Sequence, residues 1–157
     1  MARVPARESI TAIEDDIVES FELFDEWKER YVYIIELGGK MPPYPEEFRT
    51  PDYIVKGCQS QVWLHAELDD GVLYFDADSD AAIVRGLLSL AVRVFSGHTP
   101  EEIIATPPTY VQRMGLSDAL STQRSNGLNE VFGKMRRYAV AFAAVEQSET
   151  ASGVSKV

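Results

Sequence analysis

Cysteine is nearly absent from this chain: Cys58 stands alone among 157 residues. One thiol cannot close an intramolecular disulfide, form a CxxC redox pair, or build a zinc or iron-sulfur site from several cysteines of one chain. A single free thiol also favours a reducing compartment. Histidine is scarce too. His65 and His98 lie far apart without the regular spacing of metal ligands, so both are expected to be structural and no metal site is expected. Basic residues are outnumbered, fifteen Lys and Arg against twenty-five Asp and Glu, and the formal charge of -10 repels a phosphate backbone or an anionic lipid surface on average. Neither nucleic acid nor a membrane is an expected partner. No apolar run approaches the ~20 residues of a spanning helix, residues 1–9 (MARVPARES) lack the apolar stretch of a secretory signal, and no segment repeats. A cytoplasmic protein, monomeric when free, is expected.

What is present suits a single domain. A hydrophobic fraction of 45% with 25% charged residues is ordinary for a globular chain, and folding at this length buries roughly 70% of the surface exposed when unfolded. The expected organisation is a flexible N-terminus over residues 1–9, one domain over 10–146, and a small-residue, polar, disordered tail over 147–157.

Thr11 and Glu14 have capping-box spacing, and Ile10, Ile13, Ile17, Phe21 and Phe24 recur at helical steps. A second helix follows from Asp25, carrying Trp27, Tyr31, Ile34 and Ile35 inward to a stop at Gly38 and Gly39, and the pair is expected to form a hairpin. Residues 40–57 hold Pro42, Pro43, Pro45 and Pro51, which predicts a long surface loop leading to Cys58. Alternation through Val62, Leu64, Ala66 and Leu68, the turn Asp69-Asp70-Gly71, and alternation through Leu73, Phe75 and Ala77 predict an antiparallel hairpin, with a third strand near Tyr53–Val55. Asp78, Ser79 and Asp80 offer N-caps to a central apolar helix through Phe95. Thr99, Pro100 and Glu102 start a short helix, two short helical pieces flank Gly115, and Leu128, Val131, Phe132, Met135, Ala139 and Phe142 form the inward stripe of a last long helix. Helices packed on one side of a small antiparallel sheet of about three strands describe an α+β domain.

Cys58 follows Gly57 and the proline-rich loop and precedes a half-buried strand, a position from which a rigid element can present a thiol. A lone cysteine is more often simply packed, and position alone does not decide between the two. The segment Val55-Lys56-Gly57-Cys58-Gln59-Ser60-Gln61-Val62-Trp63 resembles the active-site segment of the SufE family of sulfur-acceptor proteins. Glu29-Arg30-Tyr31-Val32-Tyr33-Ile34-Ile35-Glu36-Leu37-Gly38, Asp78-Ser79-Asp80-Ala81-Ala82-Ile83-Val84-Arg85-Gly86-Leu87 and Arg124-Ser125-Asn126-Gly127-Leu128 are similar to that family's other ordered segments, so the resemblance spans residues 9–145. Ala77 stands where the family often has glycine, and Ser121-Thr122-Gln123 replaces a common Thr-Pro-Ser.

The resemblance implies a SufE/IscU-like fold and a chain that accepts persulfide sulfur on Cys58 from a SufS-like cysteine desulfurase, stimulates that enzyme, and relays sulfur toward a SufB-type scaffold for iron-sulfur cluster assembly. The chain would then be a covalent carrier with no cofactor of its own, the pyridoxal phosphate residing in the desulfurase. Such a thiol must be ionised, reachable and aligned with the attacked sulfur. Lys56 is a candidate for electrostatic help or a solvated loop lysine. Gly57 either lets the loop change shape or merely makes a turn. Gln59, Ser60 and Gln61 are loop and docking candidates that also begin the strand. Arg124 is associated by the resemblance with the site or partner docking, and Asp80, with Asp78, either contacts a partner or caps the central helix. Three other readings stay open: partnership with a paralogous CsdA-type desulfurase, an IscU-like metal-binding scaffold, and a non-covalent allosteric activator with Cys58 packed.

Overall fold

The computed structural model describes residues 3–151. In chain order it has helices α1 (Ile10–Phe21) and α2 (Trp27–Gly39), strands β1 (Val62–Asp69) and β2 (Val72–Ser79), then helices α3 (Ala82–Phe95), α4 (Pro100–Ala105), α5 (Tyr110–Arg113), α6 (Leu116–Ala119) and α7 (Thr122–Ala151). The α+β class is as expected. The last helix runs past residue 147, where a tail was expected to begin, and the rest of that segment lies outside the described residues.

The two strand patterns meet in one antiparallel register. Leu64 pairs with Ala77, Ala66 with Phe75 and Leu68 with Leu73, so the apolar alternations of both strands share one face. Asp70 and Gly71 at the turn both have positive φ, the primed geometry that matches strand twist. The sheet has two strands, not three. Ile54 makes one bridge to Trp63, and Val55 N–H donates to the Val62 carbonyl at 2.8 Å. The pairing ends there because a 3-10 turn, Pro51–Tyr53, precedes it and Gly57, at φ +89°, turns the chain directly after it.

The opposite sheet face, bearing Trp63 and His65, is not left to solvent. The expected surface loop 40–57 folds back across it: Phe48 stacks on the His65 ring at 3.6 Å and 8°, Tyr53 meets the same ring edge-on, and the Arg49 guanidinium lies 4.7 Å from the Trp63 ring centre. Tyr44 and Val55 are buried within this layer. The proline-rich segment therefore supplies a second cover for a small sheet. His65 is buried and bonded to Asp76 at 3.1 Å, and buried His98 donates from Nε2 to the Glu8 carbonyl at 2.9 Å.

Helix α3 is the hub: α1 and α2 both pack on it, as does β2, so the first two helices are organised around a third rather than as a closed hairpin. The α2–α3 crossing is very close. A Cβ on Gly86 would fall 2.2 Å from the Ile34 carbonyl oxygen, and one on Gly38 would fall 2.6 Å from the Gly86 amide nitrogen. Gly38 thus serves the helix contact rather than helix termination. Along α2, Ile34 is buried, whereas Ile35, expected inward, is 43% exposed.

Two capping expectations change. Ser9, not Thr11, caps α1, accepting from Ala12 N–H at 3.1 Å. Glu14 is buried and accepts from Tyr110 N–H at 2.8 Å and from the Thr109 hydroxyl at 3.1 Å, closing the start of α5. Ala81 occupies the N-cap of α3 and makes no side-chain cap bond. The Thr99, Pro100, Glu102 start of α4 forms a complete capping box, as expected.

Candidate functional site

The loop carrying Cys58 is fastened at both ends. Val55 N–H bonds to Val62 on one side. On the other, Gln61 N–H donates to Asp80 Oδ1 at 3.1 Å and the Ser79 hydroxyl donates to the Gln61 carbonyl at 2.8 Å. Asp80 therefore holds the loop rather than capping α3. Asp78 also has another task, receiving Arg49 and Arg85 at 3.0 Å each. These bonds tie the end of β2 to the loop and to the covering layer.

Helix α7 passes over the loop. The Cys58 thiol donates to the Gly127 carbonyl at 3.5 Å, and a Cβ on Gly127 would stand in van der Waals contact with the sulfur at 3.4 Å, so this buried backbone forms the seat of the thiol. Glu130, one turn further along α7, lies beside the exposed Gly57: its Cγ is 3.0 Å from where a Cβ on Gly57 would be. With φ at +89°, position 57 disfavours any larger residue on backbone grounds as well. Neither Gly127 nor Glu130 was singled out as a site residue from the sequence. Each immediately precedes a member of the inward stripe, Leu128 and Val131, which places both at the border between the core and the surface of α7. That position is the signal that finds them.

The half-buried Cys58 opens on a cleft of about 260 Å³. Gln59 and Ser60 line it beside the cysteine, Val62, Val84, Leu87, Leu88, Leu128 and Val131 give it apolar walls, and Ser121, Gln123 and Arg124 complete the lining. The structure thus brings Cys58, before the first strand, and Arg124, in the last helix, to one cleft. Arg124 is itself exposed, as are Lys56, Gln59 and Gln61. Burial first, and the Glu130 anion second, push the Cys58 thiol above its ordinary pKa. Lys56 stands near Lys134, whose amine is shifted down by burial, then by Arg137 and Lys56. Trp63, expected to pack, is half-buried under Arg49.

Chemically, this is a thiol kept neutral, sheltered on one side by a helix and open on the other to a cleft with apolar walls and a cationic group on its lining. Among the described residues no group of three or more His, Cys, Asp or Glu is disposed to hold a metal ion, and no helix is long and apolar enough to cross a membrane.

Residues 15–139 match the SufE family, described as an Fe-S metabolism associated domain. An uncharacterized SufE-like protein of Rhizobium etli is 41% identical over 135 residues, covering 83% of this chain and 91% of its own. A second, of Rhizobium meliloti, is 42% identical over 127 residues, covering 78% and 91%. A third uncharacterized SufE-like protein, of a Synechocystis species, is 37% identical over 126 residues, covering 80% and 79%. Among solved structures, a hypothetical protein from Thermus thermophilus superposes with a TM-score of 0.70 over 88% of this chain and 97% of that one, at 20% identity, which speaks for the shared fold.

Proposed function

The chain belongs to the SufE family and so to iron-sulfur metabolism, and from that premise we propose that Cys58 accepts sulfur from the persulfide of a cysteine desulfurase and relays it toward cluster assembly. The Cys58 thiolate attacks the outer sulfur of the donor persulfide. A new sulfur-sulfur bond forms at Cys58, the donor's bond breaks, and the donor cysteine leaves as its thiolate. The products are a Cys58 persulfide and a reset desulfurase. No oxidant enters, because the exchange only moves a sulfur already at that oxidation level. The desulfurase carries the pyridoxal phosphate.

The observation that carries this reading is the setting of the sulfur: half-buried, seated on the Gly127 carbonyl, and facing a cleft wide enough for an added atom. A buried seat shelters a persulfide from oxidants and stray thiols, and an open mouth lets it be collected. The neutral resting state fits a nucleophile activated only on docking, since the thiolate is the attacking form. Gly57 supplies the backbone freedom to present the sulfur, and Gln59, Ser60 and Arg124 border the route a donor would take. A SufS-like enzyme is the proposed donor, with a SufB-type scaffold downstream. A CsdA-type desulfurase is the competing donor, and side-by-side stimulation assays with the two enzymes separate them.

Incubation of the full chain with a cysteine desulfurase and L-cysteine, followed by intact-mass and peptide analysis, is expected to show the mass of one or more added sulfur atoms on the peptide containing Cys58. A Cys58→Ser variant is expected to take up none and to lose desulfurase stimulation over many turnovers. Full stimulation by that variant would replace relay with non-covalent activation.

A further inference from the structure

In a chain of net charge -10, one stretch of surface carries the opposite sign. Exposed acids crowd α1, α2 and their junction, among them Glu19, Glu22, Asp25, Glu26, Glu29 and Glu36. On α7 stand Lys134 and Arg137, three residues apart and so neighbours on the helix surface. Arg137 folds back along the helix, its Nη1 lying 3.2 Å from where a Cβ on Gly133 would be, which carries its charge toward the end of α7 that meets the Cys58 loop. Lys134 donates to the Ile54 carbonyl at 3.4 Å, and its amine lies 5.8 Å from the Tyr138 ring centre. Two residues beyond Ile54 comes the exposed Lys56, on the loop itself. Burial first, then Arg137 and Lys56, lower the Lys134 pKa, so the three charges feel one another. Such a grouping costs the free protein stability, because like charges this close repel. Among the described residues Arg3, Arg49, Arg85, Arg93 and Arg113 each hold a carboxylate at 3.1 Å or closer, whereas Lys56, Lys134 and Arg137 take part in no ion pair. Glu130 stands one turn before Lys134 on α7 and forms no ion pair with it either. Local repulsion without an internal offset belongs where an outside partner supplies the missing charge.

We propose that Lys56, Lys134 and Arg137 form a cationic docking patch at the foot of the Cys58 loop, and that it receives an acidic surface segment of the protein that delivers sulfur. Lys134 is already held by Ile54 and Tyr138, so little freedom is lost when an anion arrives. A nucleic acid would bring the same sign of charge, but its long phosphate backbone meets the net negative field of the whole chain, whereas an acidic stretch on a protein surface is read locally. None of the three side chains lines the cleft, so the patch sets approach and orientation and takes no part in the sulfur exchange. This inference rests on the acceptor reading above and names the surface that its donor meets.

The test is the association rate of the full chain with a purified cysteine desulfurase, measured by surface plasmon resonance across ionic strength without L-cysteine, so that no sulfur moves. Lys56→Glu combined with Arg137→Glu reverses two exposed charges and leaves Lys134 in place. This double variant is expected to associate about tenfold more slowly at low salt, with the difference fading as salt screens the charges. Its urea midpoint is expected at or above that of the wild type, because repulsion on Lys134 is removed; a structural role for the two side chains would lower it instead. Lys28→Glu combined with Lys40→Glu makes the same change in net charge from exposed positions in and just after α2, and is expected to associate within about twofold of the wild type. A patch variant that associates at the wild-type rate, or a control that slows as much, overturns the proposal. So does inhibition by inorganic phosphate beyond that of chloride at matched ionic strength, which would make the patch a small-anion site. Mass analysis after adding L-cysteine keeps the two readings apart. Slower association of the patch variant with no sulfur on wild-type Cys58 sinks the acceptor role alone, whereas sulfur on Cys58 with unchanged association sinks the patch alone.

Discussion

At the scale of single residues, the groups that shape this site act through what they withhold. Gly127 brings up a bare backbone whose carbonyl accepts from the Cys58 thiol at 3.5 Å, and burial, with the Glu130 anion second, withholds ionisation from the sulfur. Glu14 works the other way, supplying a buried acceptor to the first amide of α5 and to the Thr109 hydroxyl. Replacing it leaves a buried donor unpaired, and Glu14→Ala is expected to lower unfolding stability in urea by about 2 kcal/mol, with Glu14→Gln closer to the wild type because it keeps an acceptor. An Ala variant as stable as the wild type would refute that role. The sequence makes Cys58 and its flanking loop conspicuous, because proline, glycine and a lone thiol are local signals. It could not assign Glu14, whose spacing to Thr11 mimics a capping box while its true partners lie more than ninety positions away at Thr109 and Tyr110. Asp78 and Asp80 mislead in the same manner: acids before a helix resemble caps, yet here their oxygens face Arg49, Arg85 and the Gln61 amide.

At the scale of elements, helices and the hairpin are readable from periodicity, while their mutual approach is not. Nothing local to α2 or α3 says that Gly38 and Gly86 meet, since a glycine near the end of a helix reads equally well as a stop. The geometry separates the two meanings. Gly86→Ala would drive a methyl into the Ile34 backbone and is expected to destabilise by about 3 kcal/mol, because neither helix can withdraw without opening the contact. Gly39→Ala, where a Cβ would meet nothing within 4 Å, is expected to be neutral or slightly stabilising. Equal losses in a urea titration of the two variants would show that the crossing is not the tight point of the fold. The missing third strand has a similar cause. The residues at Tyr53–Val55 carry the right side chains, but the 3-10 turn that takes in Tyr53 and the left-handed Gly57 beyond them leave room for one bridge only.

At the scale of the molecule, one hydrophobic core runs from Ile10 to Ala139 and includes residues of α1 through α7 and both strands. Such continuity predicts a single cooperative transition. Trp27 in α2 and Trp63 in β1 lie in different parts of that fold, so fluorescence from single-tryptophan variants and far-UV circular dichroism are expected to share one denaturation midpoint. Separated midpoints would mean that the helical layer and the hairpin unfold independently. The core also explains why the site can be small. The residues beneath the Cys58 loop, among them Val62, Leu88 and Leu128, belong to that core, and the loop itself is anchored at Val55 and again at Gln61. Those anchors act as a short leash. With roughly three links of ~3.4 Å to either post, the sulfur can travel no more than about 10 Å from its moorings. A donor must therefore bring its cargo nearly to the doorstep, and delivery depends on how closely two surfaces fit more than on how far one side chain can stretch.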